Sequence, residues 1–101
     1  MRIIVFFDLP VTTAEERRAC TRFRKFLVKN GFLMMQESVY SKIVLNMTAG
    51  NVVVQKVKSA APKDGLIQAL VITEKQYAGI IMILGKKQSE VVESNECLVV
   101  L

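Results

Sequence analysis

Histidine is absent from the 101 residues, and with it go Ser-His-Asp and Cys-His nucleophiles and most transition-metal chemistry. Cysteine occurs only at Cys20 and Cys97. The two are far apart, form no CxxC pair and sit among apolar neighbours, so buried free thiols are expected rather than a disulfide, and zinc has no ligand set. No apolar run reaches the about 18 residues that a membrane span needs, and the first residues lack the basic, apolar, small-residue order of a signal peptide. The expectation is a cytoplasmic protein with no membrane partner. Internal repeats and low-complexity segments are also missing.

What is present is apolar and basic. Hydrophobic residues make up 51% of the chain and mean hydropathy is +0.34, more apolar surface than one domain of this length hides easily. A buried subunit interface is therefore expected, most simply in a symmetric homodimer. Lys and Arg outnumber Asp and Glu 14 to 9, for a net charge of +5. That balance favours a polyanionic partner, nucleic acid first, with a merely basic surface as the alternative.

Residues 2–9, RIIVFFDL, form a nearly continuous apolar run ending at Pro10, which predicts a first strand buried on both faces. Thr13 and Glu16 make a capping box for a helix running to Asn30, with Gly31 as its stop. Ala19, Cys20, Phe23, Phe26 and Leu27 fall within one arc of that helix and should pack on a sheet. Arg18, Arg22, Lys25 and Lys29 follow i, i+4, i+7, i+11 on another side, a row about 16 Å long at 1.5 Å per residue.

Residues 32–36 and 38–45 read as a hairpin with a tight junction or bulge at Glu37 and Ser38. Residues 46–61 read as a second helix capped by Thr48 and ended by Pro62 and Gly65. Residues 65–73 read as a strand, Thr73 and Gln76 as a capping box for one helical turn, and IIMIL at 80–84 as a fifth strand. The order implies an α+β class, a ferredoxin-like βαββαβ sheet with both helices on one face. Residues 1–84 would be the core. Residues 85–101 would be a polar connector and a terminal strand, CLVVL, that needs a sheet edge; exchange or pairing across the homodimer is preferred, with pairing inside its own chain as the alternative.

Taken in order, VFFDLP, EERRACTRFRKFLVKNGF, MQESVYSKIVL and ITEKQYAGIIMILG cover most of the chain and resemble the CRISPR-associated protein 2 family, especially the form found with single-effector systems. The resemblance implies symmetric dimers of ferredoxin-like subunits, often with the last strand contributed across the dimer. It also implies a role in antiviral defense: in CRISPR adaptation, or spacer acquisition, the dimer bridges two dimers of the integrase, CRISPR-associated protein 1, around a fragment of double-stranded DNA. Many members are described as metal-dependent endoribonucleases or deoxyribonucleases, with the aspartate after the first strand as metal ligand. Here that aspartate is Asp8.

Two candidate sites emerge. Asp8 is the candidate catalytic residue and metal ligand, for Mg²⁺ or another divalent cation. One carboxylate holds Mg²⁺ poorly, so Asp8 of a second subunit would be needed. Ser38, Tyr40 and Lys42, with Glu37, are candidate accessories, and Asp64 in PKDG reads as a turn residue. The plain alternative is that Asp8 only accepts backbone hydrogen bonds in the turn before Pro10. The second candidate is the row Arg18, Arg22, Lys25 and Lys29, joined by Arg17, as a nucleic-acid-binding face that follows a duplex backbone without reading bases. Its alternative is a solvated helix face. Lys42, Lys56, Lys58, Lys86 and Lys87 are weaker candidates.

A homodimeric scaffold binding duplex foreign DNA is the leading function. The alternative is a metal-dependent hydrolase, an endonuclease acting on single-stranded RNA or on DNA through Asp8 of both subunits. A ferredoxin-like RNA-binding module is disfavoured, because no Lys/Arg-Gly-Phe-x-Phe run places stacking aromatics on a strand.

Overall fold

Alternation along the first strand decides the architecture of this computed structural model, which describes residues 1–85. In β1 (Arg2–Asp8), Ile3, Val5 and Phe7, followed by Leu9, are at most 9% exposed and form one continuous core side. That core meets Cys20, Phe23 and Leu27 of α1 (Ala14–Lys29) and Val57 of α2 (Met47–Ala60). Arg2, Ile4, Phe6 and Asp8 point the other way, as a strand period of two requires. Neither α1 nor α2 covers that second face, and Phe6 is 37% exposed there. The expected burial on both faces holds in part: on this second face Ile4 is 6% exposed and buried, whereas Phe6 and Asp8 are exposed.

The sheet order is β2-β3-β1-β4, with β2 at Leu33–Gln36, β3 at Val39–Ile43 and β4 at Leu66–Ile72. β1 runs antiparallel to both β3 and β4, with Val5 opposite Tyr40 and Ala69. β3 also lies antiparallel to β2, so β1 and β2 are parallel with β3 between them, the split βαβ of a ferredoxin-like α+β fold.

The expected capping box opens α1: Glu16 N–H donates to Thr13 Oγ1 at 3.1 Å while Thr13 N–H donates to the Glu16 carboxylate at 3.0 Å. Gly31, at φ +89°, closes it, a backbone state costly for a residue with a Cβ. Phe23 stands edge-on to Phe7 at 5.1 Å between centroids, and Phe7 stacks on Tyr40 at 5.8 Å. These three rings fasten α1 to the middle of the sheet.

Glu37 and Ser38 form the β2–β3 turn, with Ser38 at φ +63°, and the register irregularity lies just before it, between Met34 and Gln36. The cap of α2 is Asn46, whose Oδ1 accepts from Ala49 N–H at 2.8 Å. The expected cap, Thr48, lies inside the first turn; both residue types cap well, and the extended backbone at Asn46 decides between them. Thr73 and Gln76 do form the expected capping box, opening α3 (Glu74–Ala78).

Residues 80–84 are not a strand; Ile81, Ile83 and Leu84 are 81%, 92% and 90% exposed. Their β-branched, apolar composition suits a strand, but a strand needs a neighbour, and neither sheet edge takes them up within the described residues. The expected terminal strand at 97–101, most of the polar connector, Lys86, Lys87 and Cys97 lie outside those residues. Among the described residues no cysteine is a free thiol, Cys20 being disulfide-bonded. This corrects the expected free thiol, since an apolar setting suits either state.

Candidate nucleic-acid interface and candidate metal site

Because α1 turns its apolar arc to the sheet, the row at i, i+4, i+7, i+11 must face outward. Arg18, Arg22, Lys25 and Lys29 are all exposed. No hydrogen bond or ion pair among the described residues engages them. Their charges are therefore available to an external anion, and the helix holds them in line on a rigid rod. Arg17 is placed differently: its Nη1 donates to the carbonyls of Val11 and Thr12 at 3.2 and 3.0 Å, bracing the loop from β1 into α1. Arg24, between the core and the row, donates from Nε to the Tyr40 hydroxyl at 3.0 Å. The sequence reading missed that contact, and nothing in the spacing of Arg24 and Tyr40 announces it.

Asp8 closes β1 opposite Leu66 of β4, exposed and on the sheet face away from α1 and α2. Gly65 shapes this corner. At φ +115° a Cβ on it would lie 2.6 Å from Leu9 Cδ2 and 3.0 Å from the Asp8 carbonyl oxygen, so only glycine lets the chain entering β4 come so close. Asp64 sits in the bend before it, as expected of a turn residue. Among the described residues no group of three His, Cys, Asp or Glu side chains is assembled to hold a metal. Mg²⁺ keeps several waters but usually takes one or two carboxylates plus substrate phosphates.

The accessories divide. Ser38 comes close in backbone terms, because its carbonyl accepts from Phe7 N–H at 3.0 Å, next in chain to Asp8. Tyr40 does not join Asp8: it is 1% exposed on the helix side, stacked on Phe7 and held by Arg24. Lys42 also lies on the helix side, opposite Ile3, five residues or about 17 Å along the strand from Asp8. Its Nζ stands 2.6 Å from where a Cβ on Gly31 would be. That places the ammonium at the C-terminus of α1, where helix carbonyls favour a cation.

A third group of contacts lies at the far end of β1. Arg2 donates from Nη2 to Glu74 Oε1 at 2.8 Å and from Nε to Oε2 at 3.1 Å, while its guanidinium carbon sits 3.8 Å from the centre of the Tyr77 ring. The hydrogen bond to Glu74 raises the Arg2 pKa, and the same bond lowers that of Glu74. No helix among the described residues is long and apolar enough to cross a membrane.

Comparison with known proteins adds what geometry alone does not. The family model for CRISPR associated protein Cas2 matches residues 1–80. A Treponema denticola protein named CRISPR-associated endoribonuclease Cas2 is 50% identical over 101 residues, covering 100% of both chains. A Streptococcus mutans protein of the same name is 46% identical over 100% of this chain and 93% of its own length. One from Ligilactobacillus salivarius is 42% identical over 100% of both.

Proposed function

The chain belongs to the CRISPR-associated protein Cas2 family, which acts in CRISPR adaptation, and from that premise we propose that it is a homodimeric scaffold. In this reading it grips duplex foreign DNA through α1 without reading its sequence, and it bridges dimers of the integrase. The observation that carries the reading is the row of four exposed, uncommitted cations along α1. Duplex DNA presents one negative charge per about 1.7 Å of axis, so a rigid row about 16 Å long meets several phosphates at once. Contacts of that kind position a duplex and carry no base information, which suits a protein that handles arbitrary invader sequences.

The homodimer is supported by the sheet face that α1 and α2 leave open. Phe6, Leu33, Ile43, Leu66 and Leu70 are 37–68% exposed on it, and residues 80–84 add further exposed apolar side chains. A patch of that kind is what a second copy would bury.

The second reading, a metal-dependent endonuclease, is favoured by the names of the relatives and by the position of Asp8 at the end of β1. Asp8 of a second subunit would have to complete its ligand set. When bound, the metal would polarise a phosphodiester and acidify a water; this chain's part would be to hold the ion through the Asp8 carboxylate. Asp8 and the α1 row lie on opposite sides of the sheet, so a duplex laid along α1 does not meet Asp8 of the same chain.

Spacer acquisition in cells separates the readings. The quadruple variant Arg18→Ala, Arg22→Ala, Lys25→Ala, Lys29→Ala is expected to abolish acquisition, and Asp8→Ala to retain it. In duplex titrations the quadruple variant should flatten the slope of log K against log salt by about 0.9 per lost phosphate contact. Acquisition lost with Asp8→Ala and kept with the quadruple variant would reverse the assignment.

A further inference from the structure

We propose that Arg2 is a positioning residue for subunit assembly: clamped by Glu74 and Tyr77, it sets the direction in which the apolar residues 80–84 leave the sheet and so presents them to a second copy of this chain. The proposal rests on the homodimer reading above but concerns a feature which that reading does not use. Arg2 opens β1 on the face away from α1 and α2, opposite Ile43 of β3 and Ile72 of β4. Its side chain is only 15% exposed, against 48% for Glu74, because α3 folds back over it. The guanidinium is held in two ways, by a bidentate carboxylate in its plane and by the Tyr77 ring against its face. A planar fork fixes orientation where a lysine ammonium would not.

The consequence for the chain path follows from how short α3 is. Five residues cannot hold their own direction. The Thr73–Gln76 box fixes where α3 starts, and Gly79 ends it with its N–H on the carbonyls of Lys75 and Gln76. Nothing among these backbone contacts ties the turn to the sheet sideways; Arg2 does. Immediately after Gly79 come Ile80, Ile81, Met82, Ile83 and Leu84, each 52–92% exposed, and the outer edge of β4 has no partner strand among the described residues. A second copy can cover such a ribbon only if it emerges in one place, and ordering it in advance lowers the cost of association.

Sedimentation equilibrium of the full chain tests this. Arg2→Lys keeps the charge and removes the fork and most of the ring contact; it should weaken the dimer about tenfold, the loss of one cation–ring contact and part of an ion pair. Its circular dichroism and melting temperature should stay near wild type, which separates positioning from general destabilisation. The exchanged pair Arg2→Glu with Glu74→Arg restores the ion pair without the ring contact and should recover part of the loss, and hydrogen exchange at 79–84 should rise in Arg2→Lys and fall partway back in the exchanged pair. A wild-type dimer with Arg2→Lys equally tight and equally protected at 79–84 overturns the proposal while leaving the dimer reading intact. A wild-type chain that stays monomeric at every concentration overturns both.

Discussion

The outer face of α1 and the end of β1 look in sequence like one basic, acidic neighbourhood, but in space they obey different rules. The α1 face is redundant: its cations are spaced by the helix repeat, are exposed, and lie on a rod pinned to the sheet by Phe23, Leu27 and Cys20. The end of β1 has one carboxylate, shaped by a glycine that lets a loop touch its backbone. A charge row functions by number and alignment, so it needs only a stable helix. A metal centre functions by convergence, and among the described residues no group of three potential ligands is assembled around Asp8.

The strongest way to break the comparison is to remove what both regions share. Phe23 is 2% exposed and meets Phe7, the residue before Asp8, edge to face. Phe23→Ala should cost about 3–5 kcal/mol, the usual range for deleting a buried ring, and lower the urea midpoint accordingly. Duplex affinity should then fall only in proportion to the unfolded fraction. A loss below about 1 kcal/mol would mean that α1 is not anchored there.

Much of this was legible beforehand, for identifiable reasons. Thr13 with Glu16 and Thr73 with Gln76 satisfy backbone donors within one turn, so local sequence suffices to place α1 and α3. The row on α1 is likewise a matter of helical period. What failed depended on distant partners. Residues 80–84 have the composition of a strand, but whether they pair is decided by a neighbour elsewhere. Ile4 and Phe6 are as apolar as Ile3 and Val5, yet Ile4 is buried and Phe6 is 37% exposed, and no pattern within β1 distinguishes them. The Arg2–Glu74–Tyr77 clamp spans 72 residues of sequence, and neither a period nor a motif links its parts. Tyr40 follows Ser38 by two residues in chain, yet register sends it to the side of the sheet opposite Asp8.

A smaller effect sharpens that last point. Tyr40→Phe keeps the ring that stacks on Phe7 and removes only the hydroxyl that accepts from Arg24. Hydrogen bonds to charged groups contribute about 1.5–3 kcal/mol, and partial exposure at this pair brings the expected loss toward about 1 kcal/mol. Chemical denaturation would measure it. Duplex binding should be unchanged, and so should any cleavage that depends on Asp8. Cleavage abolished with the fold intact would put Tyr40 back in the site.

The smallest expected effect bears most directly on the difference between the two regions. Asp8 is exposed at a strand end, and substitutions away from caps, cores and paired charges usually change stability by less than about 0.5 kcal/mol. Asp8→Ala should therefore melt like wild type. Its salt slope for duplex binding should match wild type because no phosphate contact on α1 is lost, and its affinity should rise slightly because each chain gains one unit of positive charge. Chelation of divalent cations should leave wild-type duplex binding in place as well. Only Mg²⁺ titration and cleavage assays should register the substitution, as loss of a carboxylate doubled across two subunits. Duplex binding that collapses with either Asp8→Ala or chelation would mean that the two regions form one site after all, with the metal at Asp8 holding the phosphates now assigned to α1.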